Sequence, residues 1–186
     1  MKYVLSFVLT FFFISGLMAQ TKMTYYNQTQ VGFFIGEESE DENQKALVPS
    51  FQTINGILFN EVFGLGIGVG AEPFEYLVIP VFFSGTVFIN KLKQRPFVTL
   101  KIGHAFSNSD KKLNNYGYGG DYKHKGGFMV NPEFGLRFKM SDFDMTLSAG
   151  YRFQRLKSVA NQSGSSYTYD HEADYNRVSF AIGILF

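Results

Sequence analysis

Three residues in the middle of the chain have the chemical types needed for acyl transfer. Ser107 could serve as a nucleophile, His104 as its base and Glu133 as the group that orients the histidine. His104 and Ser107 lie in a stretch that alternates like a β-strand, and their spacing directs the two side chains to opposite faces unless a bulge intervenes. His104 is then an ordinary histidine near the outer rim of a sheet. The spacing favours a protein without catalytic activity, with a Ser-His-Glu hydrolase as the alternative.

The other histidines do not predict a metal site. His124 and His171 lie in separate polar segments, near Asp121 and Asp170 respectively, but neither pair has the close spacing of metal ligands. The chain has no cysteine, which excludes thiolate ligands and disulfides. The glycines of residues 63–71, FGLGIGVGA, alternate strictly with apolar residues, and no helical pattern follows, which argues against a phosphate-binding loop. We predict neither a bound metal nor a cofactor.

The composition indicates strands rather than a nucleic-acid-binding surface. Aromatic residues make up 18% of the 186 residues, with 22 Phe and 11 Tyr, which is well above the usage of globular proteins. Such residues are enriched in strands and at membrane interfaces. The net charge of +1 is too small for electrostatic binding of nucleic acid.

The first 19 residues have the features of a secretory signal peptide. Lys2 supplies the positive start, residues 4–17 are apolar, and Ala19 ends a suitable cleavage site. The apolar run is shorter than the roughly 20 residues of a membrane-spanning helix. No second apolar run of helical length follows, so any membrane crossing must be made by strands of residues 20–186, which we predict to form one domain.

The final segment, residues 175–186, alternates between two faces. One face carries Val178, Phe180, Ile182, Ile184 and Phe186, and the other carries Arg177, Ser179, Ala181, Gly183 and Leu185. This period of two is typical of a strand with one face against an apolar environment. The apolar row continues to the last residue, whereas a soluble sheet usually ends in polar residues.

Seven further segments show the same alternation, although residues 47–59 are irregular enough to suggest a bulge or an edge-like start. They are residues 25–36, 47–59, 63–71, 76–89, 97–107, 128–140 and 143–155. Each is close to the length that a tilted strand needs to cross a bilayer. The pattern predicts an all-β fold, a transmembrane antiparallel up-and-down β-barrel of eight strands. The acidic run 37–42 and the polar segments 108–126 and 156–174 are predicted to be loops.

The predicted inward faces carry charged residues and glycines. Six charged residues share the inward parity: Lys101, Glu133, Arg137, Asp144, Arg152 and Arg177. An eight-stranded barrel has an interior just wide enough for side chains, so we expect a salt-bridge network that fills the lumen rather than a conducting pore. Four glycines of residues 63–71 would make room for long side chains from facing strands. Among the tyrosines near the loops, we assign Tyr175 to the outer aromatic girdle and leave Tyr116, Tyr118, Tyr122, Tyr167 and Tyr169 between girdle and binding surface.

The chain resembles known bacterial barrels in two respects. The terminal strand is similar to the last strand of outer-membrane β-barrels, in which the final Phe and the alternating apolar residues are read by the assembly machinery. The segments RPFVTLKIGHAF, NPEFGLRFKM and DMTLSAGYRFQ resemble the small outer-membrane barrels of Bacteroidetes-type bacteria. The resemblance implies an outer-membrane location with both termini in the periplasm. The run HAFSN, followed by Glu133, is also loosely similar to the His-x-Ser-Asn motif of lipid A 3-O-deacylases, but it is one residue longer.

Three functions are consistent with these patterns. The leading hypothesis is a non-enzymatic outer-membrane barrel with a structural or surface-interaction role, for example as an accessory subunit of a larger envelope complex that contains another outer-membrane protein. Its expected partners are outer-membrane lipid and the barrel-assembly machinery, with no nucleic acid. The alternative is a lipid A or phospholipid acyl hydrolase that uses His104, Ser107 and Glu133. A soluble barrel that carries a hydrophobic ligand is disfavoured by the apolar outward rows.

Overall fold

The computed structural model describes residues 22–38, 41–74, 76–90, 93–107, 109–113, 120–162 and 168–186. The predicted signal peptide, residues 1–19, lies outside the described residues and stays a prediction. Nine strands are present among the described residues: β1 (Met23–Glu38), β2 (Asp41–Phe59), β3 (Phe63–Pro73), β4 (Leu77–Phe88), β5 (Gln94–Ser107), β6 (Ser109–Leu113), β7 (Gly120–Lys139), β8 (Asp144–Gln162) and β9 (Thr168–Leu185). No helix in this part of the chain is long and apolar enough to cross a membrane.

The strands close into one antiparallel ring. Neighbouring strands pair in the order β5-β4-β3-β2-β1-β9-β8-β7-β6, and an additional pairing of β5 with β7 completes the circle. β5 and β6 occupy the same position in the ring, because both pair with β7. β6 pairs with the first residues of β7, and β5 pairs with the rest of that strand. The structure is therefore the predicted eight-stranded barrel, in which one strand is made of two segments.

The two ends of the barrel differ. One end, which we call the short-turn end, contains the connections around Asn60, Asn90 and Ser141 together with residues Lys22 and Phe186. Asn60 and its neighbour in the same turn have positive φ angles of 51° and 58°, the conformation of a tight hairpin turn. The backbone of Phe186 exchanges hydrogen bonds with Asn27, so the last residue is fixed to the first strand.

At the other end a part of the sheet continues beyond the ring. The pairing of β1 with β9 stops at Gly36 and Arg177, whereas β8 and β9 stay paired as far as Asn161 and Thr168. We call this extension the crown and define it as β6 with residues 120–126, 155–162 and 168–174. It corrects the prediction that 108–126 and 156–174 are loops. The crown segments lack the regular apolar alternation of the wall, so the sequence pattern did not indicate strands there.

Two other expectations about the strands were wrong. β1 and β2 continue into the acidic run 37–42 as far as Glu38 and Asp41, with a register shift at Glu38. No bulge occurs in residues 47–59, which keep a continuous register with β1. The polar residues that disturb the outward pattern there, Thr53 and Asn55, bond to side chains of β1 instead, so the strand needs no irregularity to accommodate them.

The glycine row of β3 makes room inside the barrel, as predicted. A Cβ atom added to Gly68 would lie 2.4 Å from the ring of Phe82, and one added to Gly66 would lie 2.8 Å from Ile54. Tyr26 of β1 covers Gly64 in the same way. These large side chains belong to an apolar cluster in the part of the lumen nearer the short-turn end. The glycines of β3 leave space there, and the large side chains of other strands fill it.

Candidate functional site in the lumen and on the outer wall

A chain of buried charged and amide groups crosses the middle of the lumen. Lys101 on β5 lies 2.6 Å from Glu133 on β7 and also donates to Gln52 on β2, at 3.0 Å. Gln52 donates to Glu72 on β3, at 3.0 Å, and Arg152 on β8 donates to the other oxygen of Glu72, at 2.8 Å. None of these side chains is more than about 5% exposed. Five of the eight ring positions are thus connected through side chains.

Burial makes these interactions structurally important. A buried charge without a partner is costly, while a well-bonded pair offsets most of the loss of hydration. Ser148 adds a second bond to Glu133, at 3.3 Å, and Gln30 a second bond to Gln52, at 3.2 Å. Arg152 stacks 5.3 Å from the ring of Phe34. Its Nε and Nη1 atoms have no hydrogen-bond partner among the described residues.

A second charged group lies at the short-turn end. Arg137 binds Asp144 across the β7–β8 turn, with 2.6 Å from Nε to the carboxylate. Asp144 also accepts a bond from the backbone N–H of Met140, at 3.2 Å, which fixes the turn. The guanidinium groups of Arg137 and Arg95 lie 5.0 and 5.4 Å from the ring of Phe88, a cation–π arrangement.

The crown end of the lumen is covered by aromatic residues. Tyr175 and Phe74 pack edge to face at 5.8 Å, and the guanidinium of Arg177 lies 4.4 Å from the Phe74 ring. Tyr76 and Leu156 belong to the same buried cluster. The assignment of Tyr175 to the outer girdle was therefore wrong. Tyr175 shares the inward parity of Arg177, and the residue is 7% exposed.

All six charged residues predicted to face inward are buried, and the structure divides them among three groups. Lys101, Glu133 and Arg152 join the central chain, Arg137 pairs with Asp144, and Arg177 lies under the aromatic cover. Sequence reasoning missed three members of these groups: Gln52, Glu72 and Arg95. Glu72 has the inward parity of the glycine row of β3, and Arg95 has that of Lys101. Both lie just outside the predicted strand segments 63–71 and 97–107, so their parity was not counted.

The candidate hydrolase residues are not brought together. His104 is exposed on the outer wall with its ring 4.9 Å from that of Phe106, whereas Glu133 is inside the lumen and engaged by Lys101. Ser107 is partly buried at the crown end of β5, far along the strand from Thr99, which is the residue opposite Glu133. Its hydroxyl oxygen is buried with no hydrogen-bond partner among the described residues. No bulge between His104 and Ser107 reverses their faces.

The other residues considered as metal ligands or binding residues lie where the structure does not describe side chains. This applies to the four crown residues His124, Asp121, His171 and Asp170, and to the five tyrosines left open above. Among the described side chains, no three His, Asp or Glu residues lie together as potential metal ligands.

The outer wall is apolar over most of the ring. The five alternating residues of the last strand, Val178, Phe180, Ile182, Ile184 and Phe186, are 41 to 64% exposed. Phe33 on β1 packs against Phe180, with ring centroids 5.5 Å apart. Every strand of the ring contributes similar residues, so an uninterrupted water-exposed wall would be unfavourable. Whether the terminal row is read during assembly stays a prediction.

Just outside this wall, the crown carries paired charges on β8 and β9. Arg155 forms two bonds with Asp174, at 2.7 and 2.8 Å, and Lys157 binds Glu172. The hydrogen bond from Arg155 lowers the pKa of Asp174, and the hydrogen bond and charge of Lys157 lower the pKa of Glu172. The pairs mark the boundary between the apolar wall and the polar crown.

Comparisons with known proteins show the same architecture. Neisserial surface protein A is 11% identical, with a TM-score of 0.56 over 88% of this chain and 97% of that protein. The outer membrane protein AlkL, solved in lipid bilayers, is 12% identical, with a TM-score of 0.53 over 89% of this chain and 88% of AlkL. The outer membrane protein OprG from Pseudomonas aeruginosa is 9% identical, with a TM-score of 0.50 over 87% and 94%. The chain has the fold of an outer-membrane β-barrel.

At these identities the likeness establishes the fold and not a shared activity. No protein-family model matches the chain, and no curated protein matches it in sequence. This fold accounts for the apolar residues on the outer wall and the buried charged residues in the lumen. The wall of an outer-membrane barrel faces lipid, and its interior is polar.

Proposed function

We propose that the protein is a non-enzymatic, integral outer-membrane barrel that acts through its surfaces, with a structural or interaction role in the envelope. The buried chain from Glu133 to Arg152 carries this proposal, because it crosses the lumen with charged side chains engaged with one another, so we infer that partners bind on the wall and the crown. The separation of His104 from Glu133 supports a role without hydrolysis. An accessory subunit beside another outer-membrane protein is the form of this role that we favour.

Location is tested first by cell fractionation and gel migration. We expect the full chain in the outer-membrane fraction, with a change in migration when the sample is boiled, because a closed barrel resists unfolding by detergent. A protein recovered from the soluble periplasmic or secreted fraction without detergent would overturn the proposal.

Orientation is tested with cysteines, since the chain has none of its own. We propose that the short-turn end faces the periplasm and the crown faces the outside. Ser141→Cys and Lys125→Cys place one exposed thiol at each end. In intact cells a membrane-impermeant maleimide should label Lys125→Cys alone, and after lysis it should label both. Labelling of Ser141→Cys alone in intact cells would reverse the proposed orientation.

The closed lumen is tested by conductance. Purified protein in planar bilayers should give currents indistinguishable from those of protein-free bilayers, because we expect the buried side chains to block ions. Stable single-channel steps would contradict a closed lumen and favour a conducting pore.

Assembly is tested at the last residue. We propose that the barrel-assembly machinery recognises the terminal apolar row, so deletion of Phe186 should reduce the heat-shifted fraction in membranes. Phe143→Ala removes another exposed phenylalanine from the same end and should have little effect. Equal loss in both variants would mean that the machinery does not distinguish the terminal residue.

A further inference from the structure

A polar patch interrupts the apolar outer wall on β1 and β2. It consists of Tyr25, Asn27, Thr29, Thr53 and Asn55, which all have outward parity. Apolar outward residues surround it on four sides: Val31 and Phe51 toward the crown, Met23 and Ile57 toward the short turns, Ile184 beside Thr29, and Ile67 and Val69 on β3. The patch therefore lies within the apolar wall, with Tyr25 separated from the short-turn edge by one outward residue, Met23.

The patch is bonded internally. Asn27 donates from Nδ2 to Asn55 at 2.9 Å and to Thr53 at 3.2 Å, and it accepts a bond from Thr29 at 3.1 Å. The two threonine hydroxyls are 3.1 Å apart, and the Tyr25 hydroxyl donates to Asn55 Oδ1 at 2.6 Å. This arrangement lowers the cost of placing polar groups in an apolar wall.

Two exposed polar groups of the patch have unused bonding capacity, one as a donor and one as an acceptor. The Nδ2 group of Asn55 has no acceptor among the described residues, and the Tyr25 hydroxyl oxygen accepts no bond from them. Both side chains are exposed. In hydrocarbon there is no water to take these positions, so an unbonded amide donor is unfavourable there. The wall at this point has the chemistry of a surface that is covered by protein.

We propose that the patch binds a second copy of this chain, with Asn55 Nδ2 of each copy donating to the Tyr25 hydroxyl oxygen of the other. A donor and an acceptor on one surface can pair with themselves across a two-fold axis, which is the arrangement of an isologous dimer. Hydrogen bonds between side chains are a usual contribution to association within membranes. This inference rests on the proposed membrane location.

The wall beside the patch has space for apolar side chains of the second copy. A groove of about 600 Å³ runs over β2 to β5, and Asn55 and Ile57 form its edge. Its floor is Gly85, which points outward between Leu65 and Leu100 and has open space above it, with the nearest atom 4.0 Å away. Because lipid-exposed association depends on close packing at small residues, the groove and the patch together form one continuous contact surface.

The test uses single cysteines on opposite walls. Ile57→Cys lies in the register position opposite Tyr25, and Leu136→Cys is the control on β7, which lies four strands from β2 in either direction around the ring. The native residues are both exposed, at 45% and 37%. A short bismaleimide added to outer membranes should convert Ile57→Cys to a covalent dimer of twice the chain mass and leave Leu136→Cys monomeric. Both variants should show the heat-dependent shift of a folded barrel.

The specific role of the amide is tested in the same background. Asn55→Leu added to Ile57→Cys should reduce the dimer at least fivefold. Asn176→Leu is the matched control, because Asn176 is also an exposed asparagine that accepts a bond from a tyrosine hydroxyl, that of Tyr151 at 2.5 Å; it should leave the dimer unchanged.

Each outcome has one meaning. A monomer in both cysteine variants, or equal dimer in both, would overturn the proposal. A conjugate of Ile57→Cys with a mass other than twice that of the chain would replace the second copy with a different partner. Recovery of the protein outside the membrane fraction would instead mean that the proposed function had failed, and this is measured on the same samples before the cross-linker is added.

Discussion

Alternate residues of the same strands face two environments, the lumen and the outer wall, and the two faces of the barrel are stabilised differently. In the lumen, charged groups such as Lys101 and Arg152 are fully buried and bonded to carboxylates and amides. On the wall, side chains such as those of Ile182 and Phe180 are exposed. Their contribution to stability depends on the medium that surrounds the barrel. Interior stability thus depends on particular partners, while wall stability depends on a property shared by many residues.

This difference predicts how each face responds to substitution. A lumen residue should be sensitive to the loss of one specific atom pair, and its effect should be reduced when the partner is removed as well. A wall residue should be sensitive to polarity and depth but tolerant of changes in shape. The following variants test these statements against each other.

The largest effect is expected for Glu72→Leu. It leaves Arg152 buried without its carboxylate, a change that costs about 3–5 kcal/mol in the free energy of unfolding. Unfolding by urea in lipid vesicles, followed by circular dichroism, measures it. The double variant Glu72→Leu/Arg152→Met removes both charges and should recover most of the loss. If the double variant is as unstable as the single one, packing and not charge is responsible.

A charge on the wall should cost less and should depend on depth. Ile182 is the middle residue of the terminal apolar row, and Ile182→Lys should destabilise the barrel by about 2–4 kcal/mol in the same assay. Phe143→Lys, near the short-turn end, should cost about 1 kcal/mol or less. Equal costs at the two positions would argue against a bilayer that surrounds the wall.

Replacing glycine with alanine on each face tests whether that face has space for one more methyl group. Gly68→Ala would place its Cβ 2.4 Å from the Phe82 ring in the packed lumen and should destabilise the barrel by about 1–3 kcal/mol. Gly85→Ala adds the same atom to the open groove of the wall and should change stability by less than about 0.5 kcal/mol. Combining Gly68→Ala with Phe82→Leu should restore part of the loss. A larger cost at Gly85 would contradict the assignment of faces.

The sequence was sufficient to predict the barrel because the period of two depends only on local residues. Each of the eight predicted segments contains a strand, and the inward parity of residues such as Arg177 and Lys101 followed from counting. What could not be predicted was which side chains meet. Glu72 and Arg152 are far apart in sequence, and their contact depends on the register of the closed ring, which no short segment specifies.

The errors have a common physical origin at the ends of strands. Beyond the apolar wall a strand no longer needs a continuous apolar face, so β8 continues to Gln162 without the alternation by which strands were predicted. Tyr175 was misplaced for a related reason, because tyrosine is suited both to the membrane interface and to the mouth of the lumen. Tyr175 lies two residues from Arg177, and this spacing predicts its inward orientation better than its residue type does.

The smallest effect is expected in the crown, where charges are exposed and paired. The hydrogen bond and charge of Lys157 lower the pKa of Glu172. A lowered folded-state pKa means that this pair stabilises the crown above the ordinary titration range of glutamate, and that the contribution is lost as the pH falls through the folded pKa. Lys157→Gln should therefore raise the pKa of Glu172 toward its ordinary value, measured by carboxyl NMR.

Asp174 provides the internal control in that titration. Its own pKa is lowered by a hydrogen bond from Arg155, which Lys157→Gln leaves in place, so its midpoint should stay nearly unchanged. Exposed pairs contribute little to stability, and the urea midpoint at neutral pH should hardly move. If Glu172 keeps its lowered pKa in the variant, another cation of the crown must be responsible, and the dependence on specific partners that characterises the lumen would not extend to this surface.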